Sequence, residues 1–460
     1  VAEDWRGLCF GESTSTKKGM NMYVIVCSRL DIASQNIKDN LLRIADWDEI
    51  DFGNDELIEN AWAREDVCIV DVKDNLTNLN DIDRKLSGFH VDSLIFASRH
   101  KSDTSGKIFT THFTGVYGSS LCVPSPHLMR MILLNLMRYA QESEWKVVME
   151  ATHHGPVEVR IPLVFVEIGS SPSEWKDSWA GEVVARAILD SIGKEKKCPV
   201  GVGLGGPHYL RRETELMSSS NVSFGHCFSS VMLERMDEGV LMEAVEKSKA
   251  EFIYVDKKSV STSLRKRIEE IANKFGYIIL KEKDVRAVGV LGMEDYLKLS
   301  SLGRVRIDTG VHGRESKDSL LFVEMPRDLW DYLDRRYRNS LRKLIEEHGL
   351  GHIESENGNI LPIIFGFDKS VVEKAKDILF NVLSSYEEYE FHSPAEIIVR
   401  RRKINMQKAE SLGLSGAELR KLLKGEMVEV DGKAIKPEMV YECESIAFNI
   451  EVKLIKGELV

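Results

Sequence analysis

The chain has 460 residues, 43% hydrophobic and 29% charged, with a formal net charge of −11. That length exceeds one ordinary core and predicts two or three domains. The acidic balance excludes a protein that binds nucleic acid through overall basicity, although local basic runs are present. No stretch approaches the roughly 20 apolar residues of a membrane helix, and no secretory signal pattern opens the chain. Seven cysteines, odd in number and without a Cys-x-x-Cys pair, point to a reducing, cytoplasmic compartment. They also leave any metal to histidine and carboxylate.

In chain order, residues 1–21 are expected to form a flexible leader. From residue 22 short apolar β-branched runs alternate with helical periodicity, as in βαβ units. Strands are expected at 23–27, 67–72, 93–97, 146–151, 161–168, 200–204, 252–255 and 277–280. Helices are expected at 32–45, 126–144, 172–192, 231–249 and 263–275. Ser171, Pro172 and Glu174 form a capping-box signature, so the helix they open aims its N-terminus at residues 167–171 as an anion or oxyanion site. The texture changes after about residue 285. Residues 286–400 hold a further αβ set with an Arg-rich helix at 327–348, a strand at 360–365 and a helix at 369–385. Residues 401–460 read as a small C-terminal module. The chain is thus an α/β catalytic domain over 22–285 with a C-terminal α+β extension.

Eight of the twelve histidines fall between His90 and His226, and several stand just past an apolar run. His100, His112, the pair His153/His154, His208 after Gly205-Gly206-Pro207, and His226 all follow this rule. In open α/β sheets ligands bind at the carboxyl ends of strands. A lone histidine is more often a hydrogen-bonded structural residue than a ligand, so the argument rests on the group. His153, His154 and Glu167 together suit metal-assisted hydrolysis. The same residues also suit a metal-free route, with a histidine activating water and backbone N–H groups near Gly169–Ser171 holding an oxyanion. A P-loop, a Gly-x-Ser-x-Gly elbow and His-Glu-x-x-His are absent from the sequence.

Read together, Ala97-Ser98-Arg99-His100, His112-Phe113-Thr114-Gly115, Thr152-His153-His154-Gly155-Pro156, Glu167-Ile168-Gly169-Ser170-Ser171, Gly203-Leu204-Gly205-Gly206-Pro207-His208-Tyr209, Gly225-His226 and Asp256-Lys257-Lys258-Ser259 resemble the archaeal and plant D-aminoacyl-tRNA deacylases of the second type. The resemblance covers about residues 22–285. It implies a mixed central sheet with helices on both faces, akin to nucleoside phosphorylases and peptidyl-tRNA hydrolases. It also implies hydrolysis of D-aminoacyl-tRNA with zinc, two ions per subunit. On that basis His153, His154 and Glu167 are expected to be catalytic, and with His208 and His226 to hold zinc. Arg99, His100, His112, Ser170, Ser171, Gly205, Gly206 and Lys257 are expected to bind substrate. Val116 departs from the polar residue expected after the His112 motif. The last segment, from Lys408 to Val440, resembles the end of tRNA 3′-processing endonucleases, and reads equally well as a small αβ cap.

A tRNA substrate needs phosphate contacts. Candidates are Lys257/Lys258, Arg265-Lys266-Arg267, the helix bearing Arg335, Arg336, Arg338, Arg342 and Lys343, and the run Arg400–Lys403. Two of these clusters lie in the extension, which is therefore expected to hold the tRNA body. The protein is expected to act as a monomer away from membranes. Two other readings stay open at this level: a metal-dependent peptidase or amidase, and a non-catalytic tRNA-binding protein.

Overall fold

The computed structural model describes residues 22–51, 55–87, 89–102, 106–116, 120–307 and 320–455. The expected leader and residues 117–118 of the His112 segment lie outside them. The chain divides into two compact units, Val1–Met293 and Glu294–Val460.

The first unit is built on an eight-stranded sheet. Its strands are β1 (Met22–Ser28), β2 (Asp48–Ile50), β3 (Ile58–Arg64), β4 (Val67–Val72), β5 (Val91–Lys101), β6 (Ile108–His112), β7 (Lys146–Met149) and β8 (Leu163–Ser170), in the order β2-β3-β4-β1-β5-β8-β6-β7. The strands β4, β1, β5 and β8 run parallel, whereas β6 is antiparallel to β8, so the sheet is mixed. Every residue of β1, β4 and β8 is buried. Such runs require cover on both faces, and amphipathic helices supply it. In the helix Pro126–Ala140 the buried Leu128, Met129, Ile132, Leu133, Leu136 and Ala140 follow the three-four spacing of one face.

A second, all-parallel sheet follows: β9 (Val200–Leu204), β10 (Ser223–Phe228), β11 (Phe252–Val255) and β12 (Ile279–Leu280), in the order β10-β9-β11-β12. The parallel strands expected from apolar runs are present, with ends shifted by a few residues. Unexpected were β2, β3, β6 and β10. The edge strand β2 and its neighbour β3 have burial that fades or alternates, giving no apolar run, and His112 ends β6.

Two expected long helices are broken. The segment 172–192 forms Pro172–Trp175 and Ser178–Leu189, because Asp177 caps the second piece through Trp179 and Ala180 N–H groups. The segment 231–249 forms Ser230–Leu233 and Glu238–Ser248, the latter capped by Asp237.

The second unit is α+β. Its strands β13 (Arg304–Ile307), β14 (Leu321–Glu324), β15 (Gly351–Glu354), β16 (Ile360–Gly366), β17 (Glu388–Ser393), β18 (Glu396–Ile404), β19 (Val428–Val430), β20 (Lys433–Ile435), β21 (Tyr441–Asn449) and β22 (Lys453–Ile455) form three sheets. The five-stranded one, β13-β15-β16-β14-β22, packs against the helices Arg327–Glu347 and Val371–Tyr386 around Trp330, Leu333, Ile364 and Leu379. The expected boundaries at 285/286 and 400/401 fall inside a helix, Glu282–Leu291, and inside β18. The strands β18 and β21 pair from Glu396–Asn449 to Ile404–Tyr441. Between them sits a small module with its own core of Ala409, Leu414, Leu422, Val428, Ile435 and Val440.

Candidate active site

Strand register gathers the first functional side chains. Side chains alternate between the faces of a strand. In the ladders β5/β8 and β8/β6, Ser98 and Thr110 both pair with Glu167, His100 pairs with Gly169, and His112 pairs with Phe165. His100, Thr110, His112 and Glu167 therefore share one face. The strand β7 pairs Val148 with Thr110, so Glu150, two residues on, falls on that face too. Gly169 makes the room: a Cβ there would lie 2.8 Å from both His100 Cδ2 and Ile108 Cγ2.

The segment after β7 is stitched between the two sheets. Ala151 N–H donates to His208 O at 2.9 Å and Thr152 N–H to Cys227 O at 2.7 Å, while Gly115 N–H donates to His154 O at 2.8 Å. The turn places His154 at φ 39°, in the left-handed region a non-glycine residue seldom adopts. It brings His153 and His154 over His112, with ring centroids 4.2 and 4.9 Å away, and His208 over Glu150.

Glu150 is the hub. Its Oε1 lies 3.1 Å from His100 Nδ1 and 3.4 Å from His208 Nε2, and its Oε2 lies 3.4 Å from His112 Nδ1. Glu167 Oε2 stands 3.4 Å from His100 Nδ1 and accepts from Thr110 Oγ1 at 3.3 Å. His100 Nε2 pairs with Tyr209 Oη at 2.8 Å. Three donor sets result, each with its ligand atoms within 4.8 Å: His112/His153/His154, Glu150/His153/His208 and His100/Glu150/Glu167.

These residues fit a zinc ion. His153 Nδ1 donates to Ala151 O at 2.7 Å and His154 Nδ1 to Gly155 O at 2.6 Å. Each ring therefore keeps Nε2 as a lone pair, the arrangement in which an outer carbonyl orients a metal ligand. Both Glu150 oxygens and His112 Nδ1 are buried without a well-directed hydrogen bond, although the distances above are short. Orphaned acceptors of this kind are costly in a protein interior, and a bound cation would satisfy them.

Burial, reinforced by mutual repulsion among the rings, holds His153 down to about 4 and His112 well below its ordinary value. Burial lowers His154 as well. All three are neutral at physiological pH, as metal ligation by imidazole requires. Burial likewise opposes a charge on His100. The hydrogen bond to Glu167 and the charges of Glu150 and Glu167 outweigh it and lift His100 to about 9. Burial, with the Glu150 charge adding, raises Glu167 to about 7. Glu150 is also opposed by burial, but His208, His100 and His153 hold it below the usual carboxylate range.

Of the residues expected from sequence, His100, His112, His153, His154, Glu167 and His208 come together here. His226 stands apart: its Nδ1 faces Thr152 Oγ1 and its Nε2 faces the Cys122 carbonyl, each at 3.1 Å. It braces the 150–154 segment and joins none of the donor sets. Arg99, adjacent to His100 in the strand, points to the opposite face, where it lies 5.6 Å from the Trp175 ring and near Asp31. Ser170 and Ser171 offer no open anion site. Their N–H groups donate to Glu174 Oε2 at 3.4 and 3.0 Å, and the helix they open is a single turn.

Gly205, Gly206 and Lys257 stand just past the carboxyl ends of β9 and β11. The connection after β9 leads to β10 and that after β11 leads to β12, on opposite sides, so the chain diverges at the β9/β11 carboxyl ends, the place where ligands enter such sheets. Gly205 and Gly206 adopt φ 114° and 83°, and a Cβ on Gly205 would lie 2.7 Å from Ser259 Oγ. Lys257 is exposed in the facing loop, and His208 follows two residues after Gly206.

Sequence reasoning missed Glu150, Thr110 and Tyr209. The signal for Glu150 was present: one acidic residue ending the apolar run Val147-Val148-Met149, three positions before His153.

The fold and this site define an α/β protein with a buried histidine–carboxylate cluster suited to hydrolysis. A family model described as D-aminoacyl-tRNA deacylase matches residues 87–280. A D-aminoacyl-tRNA deacylase of Methanococcoides burtonii is 31% identical over 464 residues, covering 92% of this chain and 95% of that one. One of Archaeoglobus fulgidus is 41% identical over 276 residues, covering 58% of this chain and 98% of its own length. A crystal structure of a conserved protein of unknown function matches with TM-score 0.55 at 41% identity, covering 58% of this chain and 97% of that one. The chain belongs to the D-aminoacyl-tRNA deacylase family.

Proposed function

We propose that the chain hydrolyses the ester joining a D-amino acid to the 3′ end of tRNA, releasing free tRNA and the D-amino acid, with zinc as its cofactor. The observation that carries the zinc is the unsatisfied Glu150 carboxylate ringed by imidazoles. Its holders would be His112, His153 and His154, or Glu150, His153 and His208; His153 has one nitrogen free, so these are alternative sets for a single ion. Zinc, when bound, supplies a water of pKa about 7 and a positive charge for the ester carbonyl.

The chain's own groups do the rest. His153 and His154 are fixed in one tautomer by the Ala151 and Gly155 carbonyls. The pair His100 Nε2–Tyr209 Oη holds a proton at the edge of the cluster, where the departing ribose oxygen needs one. The terminal nucleotide lies over Gly205 and Gly206, with a phosphate at Lys257. Among the described residues no helix is long and apolar enough to cross a membrane, and no disulfide joins the cysteines.

The test is deacylation of D-Tyr-tRNA against L-Tyr-tRNA, before and after chelation and zinc return. Release of the D-ester alone, lost on chelation and restored by zinc, is expected. Release that survives chelation would remove zinc and make a histidine the base. Absence of release from either ester would remove the deacylase reading itself.

A further inference from the structure

The basic runs most visible in the extension's sequence are spent on internal contacts. Arg338 makes a two-pronged bond to Asp334, with both contacts 2.9 Å, and Arg342 Nε lies 2.8 Å from Glu354 Oε1. Arg336 lies 4.0 Å from the Tyr332 ring centroid, and Arg335 Nε donates to the Asp331 carbonyl at 3.0 Å. Arg400 is bound to Glu390 at 2.9 Å, and Lys403 to Glu444 and Glu442 at 3.2 and 3.6 Å. The carboxylate-paired Arg338, Arg342, Arg400 and Lys403 offer little to a polyanion, whereas Arg335 and Arg336 keep their charge, as does Arg420, whose Nε donates to the Gly416 carbonyl.

The small module between β18 and β21 differs. Residues 416–436 carry five Lys and Arg against four Asp and Glu, in a chain whose formal net charge is −11. Arg420, Lys421 and Lys424 stand exposed on the helix Gly416–Leu423 and its exit, and Lys433 and Lys436 stand exposed on the β19/β20 hairpin and just after it. Among the described residues none of these five has a carboxylate within ion-pair distance. Helical spacing puts Arg420, Leu423 and Lys424 along one stripe, and Met427 follows the turn at Gly425, where φ is 80°. Leu423 and Met427 are 62% and 60% exposed, in a module whose core is already filled by Leu422, Val428 and Ile435.

We propose that this mixed basic and apolar face, residues 416–436, is an RNA-docking surface that holds the body of the tRNA. The identity of the RNA rests on the deacylase reading above; the surface itself does not. Unpaired cations supply phosphate contacts and counterion release, while the exposed Leu423 and Met427 side chains offer apolar contact to sugars or bases. The docking would act on affinity and leave the chemistry untouched, since none of these residues belongs to the histidine–carboxylate cluster.

The experiment uses the full chain with Arg420→Ala, Lys421→Ala and Lys424→Ala combined, exposed positions where alanine favours the helix. The control is Lys376→Ala, an exposed lysine elsewhere in the extension. Binding of uncharged tRNA is measured by fluorescence anisotropy across a salt series, and deacylation of D-Tyr-tRNA is measured in parallel. The triple variant is expected to bind about tenfold or more weakly at 0.1 M salt, and its slope of log affinity against log salt should fall by about 2 to 3. Its KM should rise alongside, with kcat within about twofold, and the control should match wild type. An unchanged affinity and slope in the triple variant, or no tRNA binding by the wild-type chain, would overturn the proposal and leave the face to another occupant. Failure of the deacylase reading looks different: no turnover by the wild type, with tRNA binding still weakened in the triple variant.

Discussion

The Nε2 atoms of His112 and His154 face each other at 3.2 Å, while His154 Nδ1 is committed to the Gly155 carbonyl at 2.6 Å. Two basic nitrogens in that position need a proton or a cation between them. A neutral His112 with its proton on Nε2 can donate to His154 Nε2, and a metal between the two nitrogens is the alternative occupant. Two nitrogens roughly 2.0–2.1 Å from a tetrahedral zinc are themselves a little over 3 Å apart, which matches the observed gap. His154→Ala should therefore weaken zinc binding by at least the roughly 10–100-fold that loss of an outer partner costs. Competition with a chromophoric chelator measures this, and unchanged zinc affinity would count against the site.

Glu150 is expected to matter more than its silence in the sequence suggests. It faces His100, His112 and His208 at once, so its removal disturbs two of the three donor sets. Glu150→Gln keeps the shape and removes the charge. We expect kcat to fall by roughly 10² to 10⁴, the range associated with a positioned acid–base group, with loss of bound zinc and little change in tRNA affinity. A variant with normal zinc content and near-normal turnover would reduce Glu150 to a buried ion-pair partner.

Legibility followed the physics of each signal. Buried parallel strands such as β1 and β4 were readable because both faces are apolar, giving continuous runs. The strand β3 was not, since Ile58-Glu59-Asn60-Ala61 spreads its buried positions among polar ones. The cluster was legible where histidines sit beside glycine and proline after an apolar run, as at His153, His154 and His208. Thr110 and Tyr209 were hidden because their roles come from pairing between segments far apart in the chain, and a single sequence carries no register, whereas Glu150 ended an apolar run and was readable. His226 and Arg99 illustrate the converse. Motif position favoured them, but the first spends both ring nitrogens on Thr152 and Cys122, and the second sits on the wrong side of β5 by strand alternation. The extension's arginines looked like a nucleic-acid face because a sequence shows charge without its partners.

Gly169 tests the register argument directly. Its missing side chain is what lets His100 lie against β8, with Ile108 on the other flank. Gly169→Ala should cost about 1–3 kcal/mol through overpacking and shift His100 away from Glu150 and Glu167. A drop in turnover larger than the loss of stability accounts for, measured at a temperature where the variant is fully folded, is expected. A variant that is both stable and fully active would show that the His100 position is not critical.

Glu213 offers a pH prediction away from the cluster. It lies 1% exposed on the helix Arg211–Ser219, and its Oε1 has no hydrogen-bond partner. Burial, with the Asp256 charge adding, raises it to about 7 from 4.5. Below about pH 4.5 the carboxyl is protonated both folded and unfolded and contributes nothing to the pH dependence. Between that value and about 7 the unfolded chain releases the proton while the folded chain retains it. The unfolded state then binds fewer protons, so stability falls as pH rises. A shift of this size amounts to about 3 kcal/mol, fully expressed above pH 7. Glu213→Gln removes the ionisable group and should leave the first unit more stable than wild type at pH 8 by up to that amount. The two proteins should converge near pH 4.5. Urea unfolding at pH 5 and pH 8, followed by tryptophan fluorescence, measures the difference. Parallel stability curves for the two proteins would mean that Glu213 ionises in the folded state as readily as in water.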